Sequence, residues 1–391
     1  MRKLLLTTLL LLISAPIFAQ FVITNGKSNI EIFSNFSGFY NDQILKPGEV
    51  DGSKNRFKLR DAQLGIEGHF GNDFECSLKV DFADMAANNI NKVIDPENPG
   101  LLNANVTYKG FKFFDVEMGY GKLYYSRNAM VAFESSAYWQ SAEITRGSIF
   151  SVRDVGVTLK KNFWHQRANF YLGAYSGLGE LSLSGDNDPS GQLEYISRFD
   201  VSFPCRYRYQ EVDLRHSPIP MFSIGIAGRY ANKKLPTGTT FPTDAASTYG
   251  LKVIDGQRYI YGFDASFQYQ GFSGQFEIHQ IKAKPQNPND PLFQNYTLQQ
   301  TNGYLFAGGY IAQINYYSKK FRTIFSARYE ELDLNDLVKG NSKRFSPAIA
   351  YRLKNTSAMI KFQYFNILKE ESIDPQSWKE QFRLGFQFQL K

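Results

Sequence analysis

The feature that most constrains this chain is a period of two. In the stretch Asp73 to Ala83, DFECSLKVDFA, Phe74, Cys76, Leu78, Val80 and Phe82 fall on one set of alternate positions. Asp73, Glu75, Ser77, Lys79 and Asp81 fall on the other. Successive strand side chains point to opposite faces, so the segment is a ribbon with one apolar and one ionic side. The same alternation recurs at 30–40, 57–70, 101–109, 112–121, 153–161, 166–176 and 192–204. A second set lies at 221–231, 257–270, 272–282, 303–317, 320–333, 343–355, 357–369 and 379–391. With 73–83 that makes about sixteen segments, an even number, each near or above the ~9–11 residues with which a tilted strand crosses a bilayer.

The connections alternate in length. Gly71-Asn72, Lys109-Gly110-Phe111, Gln270-Gly271, Ser318-Lys319 and Asn355-Thr356 are tight. The intervening ones, at 41–56, 84–100, 122–152, 177–191, 232–256, 283–302, 334–342 and 370–378, are long. Short turns on one rim and long loops on the other characterise an outer-membrane barrel. One connection breaks the rule: CRYRYQEVDLRHSPIP, Cys205 to Pro220, stands where a short inner turn is expected. Either its flanking strands run further or it is an excursion on the periplasmic side.

Alternation alone does not separate a membrane barrel from a soluble sandwich, whose apolar faces would pack on each other. Composition and aromatic placement favour the barrel. Phe 34 and Tyr 24 raise the aromatic share to 16%, yet the mean hydropathy is −0.36, as expected when only every second residue must be apolar. Tyr259 and Tyr269 bracket one strand and Tyr304 and Tyr316 another, in the manner of interfacial girdles. After Gln20 no window approaches the ~18 consecutive apolar residues of a spanning helix. The fold class expected is all-β: a transmembrane antiparallel up-and-down barrel of about 16 strands with long outer loops and short periplasmic turns.

The first residues, MRKLLLTTLLLLISAPIFAQ, place Arg2 and Lys3 before an apolar run from Leu4 to Leu12 and end in Ala19. They read as a secretory signal peptide over 1–19, cut before Gln20, with an uncleaved anchor as the alternative. Residues 20–391 then form a single barrel domain. The formal net charge of +7 falls to +5 when Arg2 and Lys3 leave, which suggests mild anion preference at most. Basic arms of the nucleic-acid-binding kind are absent, so no nucleic acid partner is expected. Cys76 and Cys205 are too few for a disulfide framework; Cys76 reads as a small apolar residue, and a single bridge between the two is the other option.

Catalytic patterns are lacking. His69, His165, His216 and His279 are scattered, without a His-Glu-x-x-His, Cys-x-x-Cys or Gly-x-Ser-x-Gly arrangement. Asp186-Asn187-Asp188-Pro189-Ser190-Gly191 begins like a calcium loop, but its twelfth position is Ser197 rather than Glu, so a solvated loop tip is the simpler reading. No cofactor or metal is expected. The longest loop, Lys122 to Val152, carries Met130, Val131, Phe133, Tyr138 and Trp139. That is too apolar for a freely solvated loop, so it is expected to fold inward and narrow the lumen, or else to pack over the rim or against another subunit. Strand phase puts Lys58, Arg60, Lys79, Arg198, Arg229, Arg258, Arg322, Arg328, Arg344, Arg352 and Lys361 on the luminal face, with Arg127, Arg146 and Arg153 near the long loop. Asp61, Glu67, Glu75, Asp81, Asp115, Glu117, Asp154, Asp200, Asp264, Glu277 and Glu330 share that face, and a water-filled lumen tolerates both signs.

Several stretches together resemble the phosphate-selective porin O and P family. They are FKLRDAQLGIEGHFGNDFECSLKVDFA at 57–83, MGYGKLYYSRN at 118–128, TRGSIFSVRDVGVTL at 145–159, YLGAYSGLGE at 171–180, YISRFDVSFP at 195–204, GFDASFQYQGFSGQFEIHQIK at 262–282 and ARYEELD at 327–333. The resemblance implies a sixteen-stranded barrel, usually trimeric, with its third outer loop folded inward and a basic pore favouring phosphate or related anions. By the matching stretches, Arg60, Lys122, Arg127, Arg146, Arg153 and Arg198 would be the pore or constriction residues. Where the family often shows paired arginines this chain has Arg60-Asp61, which interrupts a positive ladder.

The expected function is that of an outer-membrane porin of a Gram-negative bacterium, passing small hydrophilic and anionic solutes by diffusion and making or breaking no bond. Its expected partners are outer-membrane lipid, the transported solutes, the barrel-assembly machinery and two further copies in a homotrimer. The alternative is a barrel with a blocked lumen that serves binding, adhesion or envelope structure. An outer-membrane hydrolase is the rival from the enzymes.

Overall fold

The computed structural model describes residues 21–48, 55–85, 100–131, 136–145, 151–177, 191–207, 209–233, 256–286, 303–333, 341–354, 357–369 and 378–390. The expected signal peptide, Arg146, Phe133 and Asp186 to Ser190 of the calcium-like loop lie outside these residues. A short strand β1 (Phe21–Asn25) precedes sixteen longer ones. The first eight are β2 (Ser28–Leu45), β3 (Arg56–Phe70), β4 (Phe74–Asp81), β5 (Leu101–Tyr108), β6 (Asp115–Lys122), β7 (Arg153–Phe163), β8 (Ala168–Tyr175) and β9 (Glu194–Phe203). The second eight are β10 (Met221–Lys233), β11 (Gly256–Tyr269), β12 (Phe272–Pro285), β13 (Leu305–Ser318), β14 (Thr323–Asp333), β15 (Ser342–Arg352), β16 (Met359–Lys369) and β17 (Trp378–Leu390).

Each strand from β2 to β17 pairs antiparallel with the next, and β17 pairs back with β2, from Leu390 opposite Ser34 to Trp378 opposite Leu45. The sheet is a closed sixteen-stranded barrel, as the alternation predicts, with ends displaced from the expected ones by a few residues. The strand β1 was not anticipated. It lies on the edge of β2 that also receives β17, with Phe21 opposite Ile32, and so continues the line of β17 past the seam.

Which solvent the apolar faces meet is settled by what is buried. Arg127, Arg198, Arg328 and Lys361 are among the largest fully buried side chains, while Phe57, Leu59, Phe74, Leu78, Met118 and Phe222 are exposed on the outside. A sandwich would bury the second set and solvate the first. A barrel in lipid does the reverse.

Local sequence accounts for the shape. Between β11 and β12 the turn residues Gln270 and Gly271 both take positive φ, 48° and 89°, the geometry of the primed two-residue turns that match the twist of a hairpin. Gly385 faces the seam, where any Cβ would collide with the Gly38 carbonyl oxygen of β2. Next to it, β2 and β3 slip register: Ser37 pairs with Asp61, but Gly38 pairs with Leu59. Arg60 is therefore bulged out of the ladder, and this lets two consecutive residues, Arg60 and Asp61, both join the luminal side. Cys76 and Cys205 are free thiols. Among the described residues no helix is long and apolar enough to cross a membrane, and no cluster of metal-ligating side chains occurs.

Candidate functional site

The lumen is crossed by the loop between β6 and β7. Its base is closed by the Leu123 amide donating to the Val152 carbonyl at 2.9 Å. A helical turn follows, Arg127–Met130, because Ser126 caps it: the Ser126 hydroxyl accepts from the Ala129 amide at 3.1 Å. At its other end the Lys122 ammonium donates to the carbonyls of Ala129 (2.6 Å) and Val131 (3.2 Å), satisfying groups a helix leaves open.

That turn is pinned to the far wall. Arg127 Nε donates to Asp264 of β11 at 2.6 Å and its Nη2 to the Ser223 hydroxyl of β10 at 2.5 Å. Arg198 of β9 binds the other oxygen of Asp264 at 2.7 Å and also the Tyr125 carbonyl at 2.8 Å. One carboxylate thus holds two guanidinium groups, with Asp200 3.4 Å from Arg198 Nε. The Asn128 amide donates to Glu277 of β12 at 2.8 Å. The other Glu277 oxygen lies 2.7 Å from His279 Nε2, whose Nδ1 is 3.0 Å from the Tyr125 hydroxyl.

Further along, residues 136–145 continue across the barrel. The Arg328 guanidinium of β14 sits 3.8 Å from the Tyr138 ring centre and donates to the Gln140 carbonyl at 3.0 Å. The Trp139 amide donates to Gln363 of β16 at 2.8 Å, and its ring lies 5.2 Å from Phe39 of β2. Gln140 accepts from Arg383 of β17 at 2.7 Å, and Glu143 from Arg344 of β15 at 2.8 Å. The loop is anchored on β9–β12, β14–β17 and β2, so of the expected placements the inward one describes it.

The connection after β9 is neither a strand extension nor an excursion away from the barrel. It turns back into the lumen from the short-turn rim. Tyr207, Glu211, Val212 and Asp213 are buried. Glu211 accepts from Arg328 at 3.0 Å, and its carbonyl accepts from Ser273 and Asn315, both at 2.9 Å. Asp213 accepts from the Gly271 amide at 2.9 Å. Tyr207 and Tyr209 lie 5.3 and 5.0 Å from the Arg127 guanidinium. Val212 packs with Ala137 and Tyr138 of the crossing loop in one apolar cluster. Two segments entering from opposite rims therefore meet inside the barrel. Burial holds the Tyr138 and Tyr209 phenols well above their ordinary range, so both are neutral.

The opposite wall is open by comparison. On β3 to β7 the luminal side chains of Lys58, Asp61, Glu67, Glu75, Lys79, Asn103, Asn105, Glu117, Arg153 and Lys160 are only half-buried. Glu117 collects Lys160 at 2.6 Å and Tyr124 at 3.1 Å. Both signs of charge are present there.

The six residues expected at the pore are thus spread over different environments. Arg127 and Arg198 come together on Asp264, at 2% exposure each. Lys122 closes the helical turn. Arg60 is buried at the β2–β3 bulge. Arg153 is half-buried on the open wall, its Nε donating to the Leu102 carbonyl at 3.0 Å. Arg146 is not among the described residues. Sequence reasoning missed Tyr207, Tyr209, Glu211 and Asp213. Their signal was present as aromatics and carboxylates in a connection that should have been a short polar turn.

Residues 30–175 match the model of a sequence family described as phosphate-selective porin O and P. Comparison with curated proteins gives no match. Among solved structures, the anion-selective porin from Comamonas acidovorans is similar with a TM-score of 0.56 and 11% identity, covering 93% of this chain and 99% of that one. The outer membrane channel DcaP of Acinetobacter baumannii is similar with a TM-score of 0.57 and 11% identity, covering 94% and 98%. OmpF of Salmonella typhi, in complex with daunomycin, gives 0.57 and 10%, covering 94% and 100%. The structural likenesses agree with the closed barrel, and the family match with a porin. The lipid-facing exterior belongs to the outer membrane of a Gram-negative bacterium.

Proposed function

We propose that the chain is a porin through which small hydrophilic solutes diffuse along the gap between the crossing loop and the β3–β7 wall. One observation carries this reading: the loop is fastened by hydrogen bonds to β9–β12 and β14–β17, while the charged side chains opposite it stay partly accessible. Selectivity in such a gap comes from width and from fixed charge. Lys58, Lys79, Arg153 and Lys160 are set against Asp61, Glu67, Glu75 and Glu117, so charge discrimination is weak. The printed name of the Comamonas porin and of the matched family support an anion preference; the near balance of this wall supports a small one. A homotrimer is the assembly we propose, on the strength of a neighbour solved as a trimer, OmpT of Vibrio cholerae.

The inward connection between β9 and β10, with Tyr207 and 209–213 inside the barrel, favours a second reading, a lumen that is closed at rest in a barrel serving a binding or structural role. Planar-bilayer recording of the purified protein separates the two. Stable conductance steps, with similar permeability for potassium and chloride, support the pore. A silent bilayer supports the blocked barrel.

A further inference from the structure

The outer face of the barrel between β10 and β15 is not a smooth cylinder. Small residues adjoin there, because the register sets Ala265 opposite Phe276, Phe276 opposite Ala312, Gly274 opposite Ile314, and Ile314 opposite Ala327. A side chain at Gly274 would collide with the Phe267 ring. Phe222 and Phe345 stand at the two ends, and the result is an apolar groove of about 570 Å³ on the lipid-facing side, within the ~300–1,000 Å³ range of ligand sites.

The groove lies in the half of the barrel next to the short turns. Its floor strands β13 and β14 are joined by SKKFRT, residues 318–323, and β15 leads to Lys354. Lys319, Lys320 and Lys354 are exposed, and no carboxylate occurs in 318–323, in 353–358 or at Gln270-Gly271. From Ile314 to Lys319 the chain runs about 17 Å, a depth of about 13 Å at the ~35–45° tilt of barrel strands and close to one leaflet of a ~30 Å hydrocarbon core. An occupant must then be apolar for the depth of a leaflet and anionic at the rim. Outer-leaflet lipid places its head groups at the opposite rim, and contact between copies is an outcome that the test below tells apart.

We infer that this groove and the lysines below it bind an anionic phospholipid of the periplasmic leaflet. One acyl chain lies along Ala265, Gly274, Ala312 and Ala327, and the phosphate sits among Lys319, Lys320 and Lys354. Exposed lysines at a membrane surface discriminate by charge, and the groove supplies the hold that bulk lipid contacts lack.

Native mass spectrometry of the folded protein, released from nanodiscs of equal phosphatidylglycerol and phosphatidylethanolamine, tests the site. Wild type is expected to retain phosphatidylglycerol over phosphatidylethanolamine by roughly fivefold or more, the effect of a single basic contact. Ala312→Phe, which fills the groove, abolishes retention of both lipids. Lys319→Gln/Lys320→Gln/Lys354→Gln keeps retention but brings the ratio to one. Folding of each variant is checked by heat-modifiable gel migration, and Ala265→Leu replaces Ala312→Phe if the latter does not fold. Equal retention of the two lipids by wild type, or undiminished retention by the filled variant, overturns the inference. A changed oligomeric state in the filled variant also overturns it, by assigning the groove to contact between copies.

Discussion

Arg127 of the crossing loop and Asp264 of strand β11 are joined at 2.6 Å with side chains only 2% and 3% exposed. The pair fastens a loop that sequence places between β6 and β7 to a wall strand more than a hundred residues later. Because Asp264 also holds Arg198, Asp264→Asn leaves two buried guanidinium groups short of a counter-charge. Breaking a buried pair costs about 3–5 kcal/mol. The expected result is a lower unfolding temperature in detergent and a noisier open current as the loop loosens, measured by heat-modifiable migration and by single-channel recording.

Arg127→Ala and Lys79→Glu are expected to act differently. Arg127 is out of reach of solvent, so its loss acts through loop position: conductance changes while the reversal potential in a salt gradient moves little. Lys79 is half-buried on the open wall, and reversing its charge shifts the reversal potential toward cations with little change in conductance. Recording both variants under the same gradient checks the contrast.

Replacing residues 205–219 by a short Gly-Asn turn removes Glu211 from Arg328 and Val212 from the cluster with Tyr138. Conductance is expected to rise, since one of two inward segments has gone. Glu211→Gln alone leaves the segment in place, and its conductance stays near that of the parent.

The barrel was legible because each strand repeats the same two-residue rule, and sixteen repetitions average out local error. The pairing inside the lumen was not. Nothing near Arg127 in sequence announces Asp264, because the contact depends on how far a loop reaches across a closed sheet. Strand phase places both Arg60 and Asp61 in the lumen although adjacent residues of a strand point apart; the bulge opposite Ser37 and Gly38 reconciles them. The strand β1 escaped notice because five residues are too few for alternation to stand out. The 205–220 connection showed only that it was too long for a turn, and its direction depended on partners in β12, β13 and β14.

The Tyr138 phenol gives a pH dependence. Burial raises its ionisation above that of the unfolded chain, so its contribution is complete below about pH 10, where both states keep the proton. As pH rises further the unfolded chain ionises first, and stability falls. Denaturant midpoints between about pH 9 and 11 are expected to decline, and Tyr138→Phe to make the decline shallower.

The seam between β2 and β17 joins residues from nearly opposite ends of the polypeptide, Ser34 with Leu390. No earlier pairing can stand in for it, and closure between partners so distant in sequence is intrinsically slow. Until then β2 and β17 each present a row of unsatisfied amides and carbonyls in a setting without water to satisfy them. A truncation that removes Phe388 to Leu390 takes away the rungs opposite Ser34 to Phe36 and so shortens, at one rim, the contact that makes the sheet a cylinder.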